Sequence, residues 1–126
     1  MKFKLSGHEP IYAQLVRYYE DLIISRELPE EGRLPSTNEV AAAFGVNPAT
    51  VLKAMEQLVA KNIVYKKRGL GMFVCSGACW QLTEERRSDF YENHVRRMLE
   101  EAHRIGFTNQ DIIDLINASD STHMNF

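Results

Sequence analysis

The stretch Phe44-Gly45-Val46-Asn47-Pro48-Ala49-Thr50-Val51-Leu52-Lys53 sets a glycine turn directly before a capped helix. That junction limits the fold more than any other part of the chain. Gly45 accepts the left-handed conformation that closes one helix. Asn47 offers a side-chain oxygen to the first N–H groups of the next helix, and Pro48 suits its first position. Upstream, Ser36-Thr37-Asn38-Glu39 has the spacing of a capping box, in which Ser36 and Glu39 each take up the other's unpaired N–H. The helix it opens is short, with Val40, Ala43 and Phe44 expected inward. Its successor should bury Val51, Met55, Leu58 and Val59, leaving Ala49, Lys53, Glu56 and Gln57 outward, Thr50 at the edge and Asn62 as the C-terminal cap. Two short helices about a glycine-containing turn, the second exposed, define a helix-turn-helix.

The flanks extend that unit. Ile11, Leu15, Tyr18 and Leu22, with Tyr12, Val16, Tyr19 and Ile23 beside them, form a broad apolar stripe, predicting a helix over Pro10–Arg26 with Pro10 at its first position. Leu28-Pro29-Glu30-Glu31-Gly32 breaks it, and Pro35 keeps Leu34 extended. Ile63-Val64-Tyr65 and Met72-Phe73-Val74-Cys75 read as two strands around the basic, glycine-rich tip Lys66-Lys67-Arg68-Gly69-Leu70-Gly71. Ser76-Gly77-Ala78 reads as a hinge. Beyond it, Thr83-Glu84-Glu85 is expected to open a long helix, its acids in the first turn as the macrodipole favours. Along it Tyr91, Val95, Met98, Ala102 and Ile105 recur at helical steps up to Gly106. Thr108 should cap a last helix carrying Ile112, Ile113, Leu115 and Ile116, with Asn117 to Phe126 polar and frayed. The expected fold is mainly α with a small β-hairpin: a winged helix-turn-helix over residues 1–75, then a short two-helix segment over 76–126.

A net charge of −2 on 126 residues argues, by itself, against a nucleic-acid partner. The distribution reverses that inference. From Asn47 to Cys75, Lys53, Lys61, Lys66, Lys67 and Arg68 face only Glu56, a local net charge of +4. From Ser76 onward five arginines face nine acids, giving −4. Such a chain presents one cationic face and repels polyanions elsewhere. With 44% hydrophobic and 25% charged residues it has the composition of a soluble domain. No apolar run approaches the roughly 18–20 residues of a membrane span, and Met1-Lys2-Phe3-Lys4-Leu5 leads into polar Ser6-Gly7-His8-Glu9 rather than a signal-peptide core. A cytoplasmic location follows as the expectation.

The second helix of the pair would enter a major groove by its first turn. Asn47, Ala49 and Thr50 are short enough for close approach, and Lys53 and Gln57 reach further to base edges or phosphates. Arg33 precedes the positioning helix, and Ser36 and Thr37 stand at its N-terminus, where N–H groups favour phosphate. Lys67, Arg68, Gly69 and Gly71 would lie along the adjacent minor groove or backbone, with Lys66 and Lys67 adding non-specific attraction.

Catalytic and metal chemistries find little footing. His8, His94, His103 and His123 are scattered, and no phosphate loop, nucleophile elbow or catalytic carboxylate pair is present. No enzyme activity, metal or other cofactor is expected. Cys75 and Cys79 are read as reduced and structural, with a thiol switch as the alternative. A winged helix serving as a protein-interaction module is a second alternative, disfavoured because such a face would expose large apolar groups rather than Lys53 and a basic wing. Phe90, Tyr91 and Met98 are taken as packing residues. A small-molecule effector is compatible with them but has no evident pocket.

Pro10-Ile11-Tyr12, Arg33-Leu34-Pro35-Ser36, Gly45-Val46-Asn47-Pro48-Ala49-Thr50-Val51 and Arg68-Gly69-Leu70-Gly71-Met72-Phe73-Val74, in that order and spacing, strongly resemble the amino-terminal winged helix of GntR-family bacterial transcription regulators. The Asn-Pro opening of the recognition helix and the short terminal region resemble the YtrA subfamily in particular. The resemblance implies a homodimer held through the terminal helices, by Tyr91, Val95, Met98, Ala102, Ile105, Ile112 and Ile116. It also implies a palindromic operator in double-stranded DNA and, as is usual in the family, repression. Two recognition helices would then lie in successive major grooves, about 34 Å apart. Asn38 and Leu52 stand where many relatives carry arginine, and Asn62 where a glycine is common.

Overall fold

A computed structural model describes residues 4–121, with side chains described through Ser119. Its elements are α1 (Ile11–Ile24), α2 (Thr37–Phe44), α3 (Pro48–Ala60), β1 (Val64–Lys67), β2 (Gly71–Val74), α4 (Ala78–Phe90), a π-helical turn (Tyr91–Val95), α5 (Arg96–Arg104) and α6 (Asn109–Ser121). The chain packs as two units, Met1–Glu84 and Glu85–Phe126.

In the first unit, α1 and α3 supply the centre of the core. Leu15, Tyr19 and Ile23 meet Val51, Ala54, Met55 and Leu58, and Ile63, Val64 and Val74 close the layer. Full burial of each large side chain contributes about 1.5–3 kcal/mol. Two inward positions differ from expectation. Ala41 and Ala54 are buried, whereas Ala43 is exposed and Val59 is 40% exposed. On α3 the small Ala54 lets the helices approach closely, and on α2 the inward face carries Ala41 beside Val40 rather than the equally small Ala43.

The expected capping residues stand at their helix ends with one exception, although the structure records only the Ser36 side of the Ser36–Glu39 exchange. Ser36 Oγ accepts from the Glu39 N–H at 3.1 Å, and Asn47 Oδ1 accepts from the Ala49 N–H at 2.9 Å. Gly45 closes α2 at φ 65°. After α3, Asn62 takes φ 61°, its N–H bonding Val59 O while the Ile63 N–H reaches Leu58 O. That is a Schellman closure, with Leu58 and Ile63 as its apolar pair. Pro10 is the exception. With ψ 139° it stands before α1 as the N-cap rather than inside it, and its carbonyl accepts the first helical bonds. Buried Gln14 anchors the segment ahead of α1, accepting from the Ser6 N–H and donating to the carbonyls of Ser6 and Glu9.

β1 and β2 pair antiparallel, Val64 opposite Val74 and Lys67 opposite Gly71. The segment before α2 extends the hairpin along the other edge of β2. The Glu31 N–H donates to Val74 O, the Val74 N–H to Gly32 O and the Leu34 N–H to Met72 O, all within 3.0 Å. The wing is therefore fastened to the entry of the positioning helix.

The stretch Ser76-Gly77-Ala78 is no free hinge. α4 starts at Ala78, and Ala78, Cys79 and Leu82 join the first unit's core. The Gly77 N–H donates to Glu30 Oε1 at 2.8 Å, so a carboxylate from the loop after α1 caps this helix. The acids at Glu84 and Glu85 consequently stand in its second turn rather than its first. Packing divides at Glu84, nine residues past the expected boundary at Cys75.

In the second unit, the π-helical turn Tyr91–Val95 leads into α5, after which Gly106, at φ 95°, turns the chain. Thr108 and Asp111 cap α6 reciprocally, side chain to backbone in both directions. α6 runs through Ser121, so Asn117 to Ser121, expected to fray, are helical. Residues 122–126, His123 included, lie outside the described part. Among the described residues no helix is long and apolar enough to cross a membrane.

Candidate nucleic-acid interface

α2, α3 and the wing bring one set of the expected residues together. A groove of 490 Å³ is lined by Arg33, Ser36 and Thr37 from the start of α2, by Leu52, Glu56 and Val59 from α3, and by Lys66, Gly71 and Met72 from the wing. Arg33 bridges to Phe73 across the sheet edge, and its guanidinium passes directly over Gly71. A Cβ built at Gly71 would stand 3.1 Å from Arg33 Nε, and Gly71 has φ 117°, which L side chains rarely adopt. A cation, hydroxyls and the first N–H groups of α2 thus converge as donors on one side of the groove, an arrangement suited to phosphate oxygens, while Glu56 lines the α3 side.

Other expected residues are placed differently. Asn47 and Ala49 are exposed at the head of α3, and Gln57 is exposed two turns on. Thr50 is half-buried. Lys53 Nζ lies 4.0 Å from the centroid of the Tyr12 ring, a cation–π contact that holds the lysine toward α1. Strand alternation separates the wing cations. Lys66 lines the groove beside Met72, while Lys67 stands on the opposite face with Nζ 4.3 Å over Phe73. Arg68 and Gly69 are exposed at the tip, where Gly69 adopts φ 79°.

Sequence reasoning missed Leu52 and Glu56 as groove residues and gave Lys66 only a non-specific attraction. The i, i+4 spacing of Leu52 and Glu56 put them on one helical face. Only the position of α1 against α3 decides that this face, rather than that of Lys53 and Gln57, turns toward Arg33 and Ser36.

Glu31 ties the wing to the start of α4. At φ 64° it accepts from the Tyr65 hydroxyl and, at 3.1 Å, from Ser76 Oγ. The Tyr65 bond holds its carboxyl below the usual range against the opposing desolvation, with the Ser76 bond and the charge of Lys67 as lesser contributions in the same direction. A depressed folded-state pKa contributes stability above the unfolded value of about 4.3, lost as pH falls through the folded value. Hydrogen exchange at the Val74 and Leu34 amides should therefore accelerate as pH falls below about 4, after correction for intrinsic rates. Glu31→Gln should lack that acid-dependent component.

Cys75 is not set up as a reactive thiolate. Burial, then the charge of Glu31, pushes the Cys75 thiol up, and Cys79 is buried with Sγ against Ile24 O.

A positioning helix, an exposed second helix and a glycine-bearing wing fastened beside them define a winged-helix DNA-binding domain. Residues 11–74 match the family described as bacterial regulatory proteins, gntR family, and the chain belongs to that family. It is 29% identical over 97 residues to the HTH-type transcriptional repressor YtrA of Bacillus subtilis (strain 168), spanning 77% of this chain and 74% of that protein. A GntR-family transcriptional regulator from Bacteroides thetaiotaomicron superposes with a TM-score of 0.75 at 29% identity, covering 90% of this chain and 99% of the other. AraR(DBD) in complex with an operator superposes with a TM-score of 0.52 at 28% identity, covering 60% of this chain and 94% of that fragment. The protein is thus a transcription regulator with a DNA-binding domain, in a family of regulators rather than enzymes.

Proposed function

We propose that the protein binds a palindromic operator as a homodimer and represses the adjoining genes, as its similarity to the repressor YtrA suggests. The supporting observation lies in the second unit. Tyr91 is 52% exposed, Met98 47%, Ile105 63%, Ile113 47%, Leu115 55% and Ile116 58%. Apolar exposure on that scale is characteristic of a surface that meets another protein. Val95 and Ala102 are half-buried and Ile112 is buried, so the exposed side chains around them would carry most of the contact with a partner. A second copy of the chain is the occupant that pairs two reading heads.

In this reading Arg33, Ser36 and Thr37 hold phosphate while Asn47, Ala49 and Thr50 approach base edges. Lys53 and Gln57 make secondary contacts, and Arg68, Gly69 and Gly71 follow the neighbouring backbone with Lys67 as a background charge. Footprinting on DNA flanking the protein's own gene, with sedimentation of the same preparation, tests the proposal. A twofold-symmetric footprint with half-sites about one helical turn apart, or a multiple of it, and a dimeric protein are expected. An asymmetric footprint from a monomer would overturn it. Arg33→Ala should weaken binding about tenfold, nearly uniformly across sequence variants, and lower the salt dependence by about one counterion, as loss of a phosphate contact requires.

A further inference from the structure

We propose that Leu52 is a specificity determinant that reads the 5-methyl group of a thymine in each operator half-site. The inference rests on the groove face of α3 being the DNA-facing one. Leu52 occupies the second turn of a recognition helix whose first turn carries only short side chains, and it is 50% exposed. A lone exposed leucine is ordinary and needs no explanation. This one is not alone. It lines the groove with Met55, Val59 and Met72, giving the floor an apolar character between cations at Arg33 and Lys66.

Charge selects the occupant. The rim carries two guanidinium or ammonium groups and the N–H groups that open α2, so the groove as a whole attracts a polyanion. Glu56, one turn beyond Leu52 on the same face, repels phosphate at the floor. Backbone oxygens are thereby directed to the rim, and base edges face the floor. Among the four bases only thymine presents an apolar group in the major groove, and aliphatic side chains make contact with it there. An arginine at this position would instead favour guanine, through N7 and O6. Leucine therefore changes which base is accepted rather than merely removing a contact.

The test uses the full chain. Duplexes are selected from a random pool, and each thymine of the common sequence is then replaced singly by deoxyuridine, which pairs identically but lacks the methyl group. One replacement per half-site should weaken binding of the parent protein about fourfold, the value of burying one methyl-sized group. That replacement should cost nothing with Leu52→Ala, which should bind the thymine-containing duplex correspondingly more weakly. Leu52→Gln, similar in length and polar, should also lose the methyl effect, and thermal unfolding confirms that both variants fold. Equal deoxyuridine penalties in parent and variants, or no sensitive thymine at all, would overturn the assignment while leaving DNA binding intact. A pool that yields no common sequence would instead remove the DNA-reading face on which the assignment stands.

Discussion

A chain cut after Glu84 is expected to remain folded, to sediment as a monomer, and to lose about 10²–10⁴-fold in operator affinity. Everything that builds the first unit's core lies before that cut, including Ala78, Cys79 and Leu82 of α4. The groove formed by Arg33, Ser36, α3 and the wing is left whole. The proposed dimer surface is lost, and with it the second half-site that raises the effective local concentration of the first. Sedimentation and a binding titration on the same operator measure both effects. A dimeric fragment, or one with parental affinity, would place the pairing surface in the first unit. Cutting after Cys75 should behave differently. It removes buried Leu82, worth about 1.5–3 kcal/mol, together with the Glu30-capped start of α4. That shorter fragment should melt well below the longer one.

Leu58→Ala is expected to destabilise the first unit by about 2–5 kcal/mol, read from the shift in its urea midpoint at constant slope. Leu58 is fully buried on the inner face of α3, and its carbonyl accepts the Ile63 N–H that closes the helix. The substitution leaves a cavity between α1 and α3 and strips the Schellman closure of its apolar partner. Val59→Ala, one residue on, should cost under about 1 kcal/mol, because that side chain is 40% exposed. Similar losses at both positions would contradict the orientation of α3.

Signals carried within a few residues were legible in the sequence. Gly45, Asn47, Pro48 and Asn62 each state a local backbone requirement, and α2, α3 and their junction follow from them. The start of α4 was not legible, since the carboxylate that caps Gly77 comes from Glu30, 47 positions earlier. The regular stripe from Tyr91 to Ile105 crosses a π-helical turn, whose wider winding rotates every later position relative to the earlier ones. Half of the candidate site was read for a related reason. Periodicity identifies which α3 residues point outward, but only the packing of α1 shows that Lys53 leans toward Tyr12 while Leu52 and Glu56 face Arg33.

The passage of Arg33 over Gly71 makes two distant positions act as one. Adding a single methyl group to Gly71 alters no charge and deletes no donor, yet the guanidinium must move from where it now lies. A survey of substitutions sorted by electrostatics would file that change as silent, while DNA would register a misplaced arginine. Evolution of this surface is correspondingly constrained in pairs: the cation at the head of α2 can keep its present aim only while the wing keeps a bare backbone beneath it.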